Sequence, residues 1–170
     1  IGRIYVIISK VVFLKNQFMQ MALNEAFLAE QCCEMPVGAV VVRNGVVIGK
    51  GHNLRNELHD PTLHAEIVAI RQACECISDW RLDDCDIYVT LEPCVMCSGA
   101  IINSRMRSVY FGAYDAEYGA AGGRIDLFSE SYFGSKTTVY GGIMESECKH
   151  VLDSFFKKLR NKNKPPCSLE

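Results

Sequence analysis

Hydrophobic positions recur along this chain with two periods, and the changes of period mark its elements. Over residues 17–33 (QFMQMALNEAFLAEQCC), Phe18, Met21, Ala22, Leu23, Ala26, Phe27 and Ala29 fall at mixed steps of three and four, which predicts a half-buried helix. GAVVV and VVIGKG then flank Arg43-Asn44-Gly45. Two β-branched runs around Asn-Gly predict a hairpin, because its primed turn needs left-handed residues. From His52 to Leu63 the chain is polar and turn-rich, closing on Asp60-Pro61-Thr62. Thr62 is placed to cap the next helix, HAEIVAIRQACECI, which sets Ile67, Ile70 and Ala73 or Cys74 on one face. IYVTL reads as a short apolar strand stopped by Glu92-Pro93, CVMCSGAIINSR as a buried helix, and SVYFGAY and TVYGG as strands. From Met144, an apolar face of Cys148, Val151, Leu152, Phe155, Phe156 and Leu159 predicts a closing amphipathic helix. The order α, β hairpin, α, β, α, β, β, α predicts an α/β fold: a three-layer α/β/α sandwich on a mixed five-stranded sheet.

Within residues 18–160 there is no repeat and no linker, so residues 18–162 are expected to form a single domain. Residues 1–17 read as an N-terminal extension, disordered or foreign to the native protein, and residues 163–170 as a tail. The opening IGRIYVIISKVVFLKN is interrupted by Lys10 and lacks a small-residue cleavage site, which argues against a secretory signal; it is also too short to span a membrane.

At 170 residues, 49% of them hydrophobic, the core needs no staple, so the nine cysteines need another explanation. An odd count without dense spacing points to a reducing, cytoplasmic setting and leaves metal binding or catalysis open. Charge is uneven beneath a net of −2. Residues 19–148 carry −9, whereas residues 1–18 carry +3 and residues 149–170 carry +4. An acidic body repels a polyanion, so contact with nucleic acid must be local and is expected to use the basic end.

His64-Ala65-Glu66 opens one predicted helix, and Pro93-Cys94-Val95-Met96-Cys97 opens another. Cys94 and Cys97, at i and i+3, share one face of a turn, where the positive end of the helix dipole favours thiolates. One imidazole and two thiolates suit a tetrahedral zinc with its fourth position open, the arrangement of a catalytic site. Glu66, in the same first turn as His64, is placed to move protons without being a ligand. Taken alone, a CxxC pair also serves structural or redox roles, but the remaining cysteines supply no second CxxC. Cys32-Cys33 and Cys74/Cys76 read as core or incidental thiols.

HAE followed by PCxxC resembles the zinc-dependent nucleoside and nucleobase deaminases. The likeness extends through PVGAVVV, the Gly49–Asn53 turn, HDPTLHAEIVAIRQA, YVTLEPCVMCSGAIINSR and VYFGAYDAEYGAAG to the Phe155-Phe156 helix. Over about residues 18–160 the chain resembles the bacterial tRNA-specific adenosine deaminases. The resemblance implies a cytidine deaminase-like fold and one Zn2+ per chain, held by His64, Cys94 and Cys97. It implies that Glu66 is the proton shuttle in hydrolytic conversion of a tRNA wobble adenosine to inosine. Asn53 is implied to contact the flipped base or its ribose, and Asp115 the neighbouring nucleotides. Phe155, Phe156 and the basic residues of the last helix would lie near the anticodon loop, with Val37, Pro36 and Ala65 lining the base pocket. The implied partners are a tRNA anticodon stem-loop and a second copy of the chain in a homodimer, with no membrane.

Second roles stay open for these residues: Asn53 as a turn satisfier, Asp115 as a cap, and Phe155-Phe156 as core packing. The chain also departs from the family pattern at Tyr114 and Glu117, where basic residues are common. The lost charges weaken phosphate attraction, and Tyr114 offers stacking in their place. Two other functions compete: deamination of a free base or nucleoside such as guanine, cytosine or cytidine, and a non-catalytic zinc-stabilised binding domain.

Overall fold

A computed structural model describes residues 2–129 and 136–162, with side chains over 15–129 and 136–161. Four helices and five strands follow in the order α1 (Gly2–Gln31), β1 (Gly38–Arg43), β2 (Val46–His52), α2 (Ala65–Ile77), β3 (Cys85–Leu91), α3 (Val95–Asn103), β4 (Ser108–Ala113), β5 (Thr138–Tyr140) and α4 (Glu145–Lys162). The helix predicted over 17–33 is thus the C-terminal part of a longer one. Neither proline nor glycine interrupts the chain after Gly2, and the backbone expected to be an irregular extension is helical. The tail at 163–170 and Cys167 lie outside the described residues.

The strands form one sheet in the order β2-β1-β3-β4-β5. β1 runs antiparallel to both β2 and β3, whereas β3–β4 and β4–β5 are parallel, so the sheet is mixed. Asn44 and Gly45 take φ of 51° and 79°, the left-handed pair the hairpin needs. α1 and α4 pack on one another and on β1, β3 and β4, and α2 packs on β2 and β1 with α3 beside it. The result is the predicted three-layer sandwich. Its core runs from Met19 and Leu23 through Val40, Val41, Ile87, Val89, Val109 and Phe111 to Ala69, Ala73 and Ile101. Burial of each large aliphatic or aromatic side chain contributes about 1.5–3 kcal/mol. Among the described residues no helix is long and apolar enough to cross a membrane.

The position of α2 depends on two contacts. On β2, a Cβ at Gly49 or Gly51 would lie 2.3 Å from the backbone oxygen of Ala69 or Ala65 respectively, so only glycine lets the helix lie this close. At its start the expected Thr62 cap is absent. The Thr62 N–H and hydroxyl both bond to Asp60 Oδ1, and α2 is preceded by His64 in extended conformation with no side-chain cap of its own. The cap comes instead from across the loop that joins β2 to α2: Asn53 Oδ1 accepts the Ala65 N–H at 3.0 Å.

Candidate active site

α2 and α3 begin side by side, and their first residues carry the three predicted ligands. His64 precedes α2, Cys94 precedes α3, and Cys97 lies in the first turn of α3. His64 Nδ1 is 3.8 Å from Cys94 Sγ and 3.6 Å from Cys97 Sγ. Among the described residues, His64, Cys94 and Cys97 form a set whose donor atoms all lie within 4.8 Å of one another. One imidazole nitrogen and two sulfurs at this separation are a donor set that fits zinc, with room for a fourth ligand.

The sulfurs are electrostatically unequal. Cys97 donates to the Cys94 sulfur and His64 bonds it as well, which pulls Cys94 down to about 4. Cys97, as donor and buried, is pushed up, and His64 is raised by its bond to Cys94. The cluster thus favours a single thiolate, at Cys94, and a metal held there would displace the protons of Cys97 and His64. Glu66 is only 4% exposed, and burial pushes its carboxyl up to about 7. It interacts electrostatically with Cys94 and His64 while remaining outside the donor set.

Three buried polar side chains hold the loops around this cluster. Besides capping α2, Asn53 donates from Nδ2 to Met35 O at 3.0 Å, so its amide ties the chain ahead of β1 to the metal-binding turn. Val37 lies beside it, its carbonyl accepting the Asn53 N–H at 3.3 Å, and Val37, Pro36 and Ala65 are all buried. Sequence reasoning missed the other two, Glu34 and Glu92. The Glu34 carboxylate accepts from Asn56 N–H, Asn56 Nδ2 and Glu57 N–H at 2.5, 3.0 and 2.9 Å, organising the 53–59 loop. Glu92 does the same for the segment after β4. The available signal was an acidic residue directly continuing an apolar run, IYVTLEP, where the strand is buried on both sides.

A cleft of about 500 Å3 opens between this segment and α4, lined by Met35, Leu91, Tyr114, Asp115, Tyr118 and Phe156 among others. The donors do not line it, but two of its residues connect to their turns, Met35 through its bond to Asn53 and Leu91 through the chain three residues before Cys94. Asp115 Oδ1 accepts the N–H groups of Glu117 and Tyr118 at 2.9 Å each, so its carboxylate shapes the turn that forms the wall. Tyr114 is 54% exposed, with its ring edge-on to Phe111 at 4.9 Å. Phe155 and Phe156 touch at 5.6 Å but separate in placement. Phe156 enters this cleft, and Phe155 lines a second depression on the α1 side with Phe27, Cys33 and Leu159.

Comparison with known proteins agrees with this arrangement. The family model for the cytidine and deoxycytidylate deaminase zinc-binding region matches residues 14–113. The chain therefore belongs to that zinc-dependent deaminase family. It is 43% identical over 147 residues to the tRNA-specific adenosine deaminase of Bacillus subtilis (strain 168), covering 86% of this chain and 91% of the relative. To that of Agrobacterium fabrum (strain C58) it is 44% identical over 146 residues, covering 86% and 96%. A solved structure from work on A-to-I editing by tRNA:A34 deaminases superimposes with a TM-score of 0.78 at 45% identity, covering 80% of this chain and 99% of that one. A guanine deaminase from Nitrosomonas europaea shares the fold, with a TM-score of 0.73 at 23% identity over 82% of this chain and 83% of that one.

Proposed function

We propose that this chain hydrolyses the wobble adenosine of a tRNA anticodon to inosine, with release of ammonia. The observation that carries the reading is the convergence of His64, Cys94 and Cys97 on one point, with the buried Glu66 in the same turn as His64. Zinc held by these three residues supplies a Lewis acid that makes water a nucleophile at neutral pH. Glu66 takes a proton from the water that attacks C6 of the adenine and passes it to N1, then carries the second proton of that water, from the C6 hydroxyl, to the departing amine. A carboxyl that burial brings to about 7 is suited to both accepting and giving a proton near neutrality.

The buried Val37, Pro36 and Ala65 form the apolar surround that excludes water from the base. Asn53 spends its oxygen on Ala65 N–H and one amide proton on Met35 O, which leaves its second Nδ2 proton for the base or ribose. The adjoining cleft receives a neighbouring nucleotide, with Asp115, Tyr114 and Phe156 as its walls, and Phe155 buttresses α4 against α1. Asp115 then acts by shaping the loop as well as by contact. The exposed Lys157, Lys158 and Arg160 lead phosphate to this edge. The enzyme works in the cytoplasm on an anticodon stem-loop as a homodimer with one zinc per chain, a reading that rests on the family relationship.

The test is to incubate the zinc-loaded protein separately with an anticodon stem-loop carrying wobble adenosine and with guanine, cytosine and cytidine. Inosine in the RNA, with the small molecules untouched, is the expected result. Ammonia from a free base or nucleoside alone overturns the reading in favour of a metabolite deaminase. No turnover of any substrate by zinc-replete protein leaves a non-catalytic binding domain.

A further inference from the structure

Glu92 takes no part in the chemistry above, yet it is 2% exposed and lies two residues before the ligand Cys94. Its carboxylate is committed to the segment that forms the cleft wall. Oε2 accepts the Asp115 N–H at 3.0 Å, and Oε1 accepts the N–H groups of Ala121 and Gly123 at 2.9 and 2.7 Å. Gly119 and Gly123 press against it: a Cβ on either would lie 2.4 or 2.2 Å from Oε2. The next two residues continue the junction, Pro93 O accepting the Ala120 N–H at 2.8 Å and Cys94 pairing with Gly119 in an isolated bridge. One buried carboxylate thus fastens both ends of the 115–123 segment to the turn that bears the metal ligands. A buried acid is costly unless its oxygens are satisfied, and an apolar side chain would fill the same space without that cost. What the acid adds is a fixed register between cleft wall and metal turn.

We propose that Glu92 is a positioning residue for the RNA: it holds the 115–118 wall at a set offset from the reacting centre, so that the cleft can bind the neighbouring nucleotide while the target base lies at the metal. This rests on the functional reading above. The division of labour between the two oxygens makes the proposal specific. In Glu92→Gln, the one remaining carbonyl oxygen can keep Ala121 and Gly123, while the new NH2 group confronts the Asp115 N–H. The Asp115 end is released and the 121–123 end stays.

The experiment compares wild type and E92Q, both full-length and zinc-loaded, on the adenosine stem-loop, together with zinc-to-protein ratio and amide hydrogen exchange. In E92Q the Asp115 amide exchanges faster while Ala121 and Gly123 stay protected. KM rises by roughly tenfold, the scale of one lost hydrogen bond to a charged group, and kcat and zinc content remain at wild-type values. A wild-type KM in E92Q overturns the proposal, as does a fall in kcat and zinc with KM unchanged, since Glu92 would then serve the metal turn alone. Failure of the wild type itself to convert the stem-loop sinks the functional reading instead, so the two failures are told apart.

Discussion

Glu66 lies two residues from His64, and Cys94 three from Cys97, yet the acid and the three donors have separable duties. Replacing Glu66 by Gln keeps the volume but removes the carboxyl proposed to move protons. Turnover is expected to fall by about 10²–10⁴-fold while zinc content stays at one per chain, read by steady-state kinetics beside elemental analysis. A surviving rate would remove Glu66 from the shuttle role. Replacing Cys94 or Cys97 by Ser has the complementary signature: the metal-to-protein ratio drops, and the melting temperature of wild type, but not of the variant, becomes sensitive to chelator. At Asn53, Ala would orphan both the buried Ala65 N–H and the half-buried Met35 carbonyl. A loss of about 1–3 kcal/mol in denaturant unfolding is expected, because unmade buried hydrogen bonds cost more than made ones gain.

Among the elements, α2 is held against the sheet by absence of side chains. Gly51→Ala would push a methyl into Ala65 O, at the very residue between His64 and Glu66. The strain of such overpacking, about 1–3 kcal/mol, should appear both as a lower melting temperature and as weaker zinc retention. G45A is the control: nothing lies within 4 Å of the added methyl, and only the left-handed φ of 79° opposes it, so its cost should appear in stability without a change in zinc. In α4 the two adjacent phenylalanines face different cavities. Phe156→Ala should raise KM for the stem-loop with little change in melting temperature, and Phe155→Ala the reverse. Equal effects from both would show that the cleft does not contact RNA.

The whole molecule carries its charge in opposite sectors, an acidic body from 19 to 148 and a basic C-terminal end. Binding of the stem-loop should therefore weaken with salt, and the slope of log K against log salt should shrink by about one for each phosphate contact removed. Lys158 already bonds Glu30 at 2.7 Å. Lys157→Ala and Arg160→Ala are accordingly expected to flatten the slope, and Lys158→Ala to do so less, in filter-binding or anisotropy titrations. An unaltered slope in all three would move the RNA surface away from α4.

Much of this was legible in one dimension because the relevant physics is local. The hairpin follows from Asn44-Gly45, the helices from steps of three and four, and the donor set from HAE and PCxxC, since ligands in a first turn are positioned by that turn. Glu92 and Glu34 were not legible: an acid in a sequence reads as solvated, and only the fold shows backbone N–H groups converging on it from residues 22 to 31 positions away. The cap of α2 was misplaced for the same reason, as Asn53 acts across 12 residues and Thr62 turns to Asp60. The amino-acid sequence alone determined which chemistry this protein can hold. Which side chains aim that chemistry was decided only by tertiary structure, because a buried polar group takes its role from whichever partners the packing brings within hydrogen-bond reach.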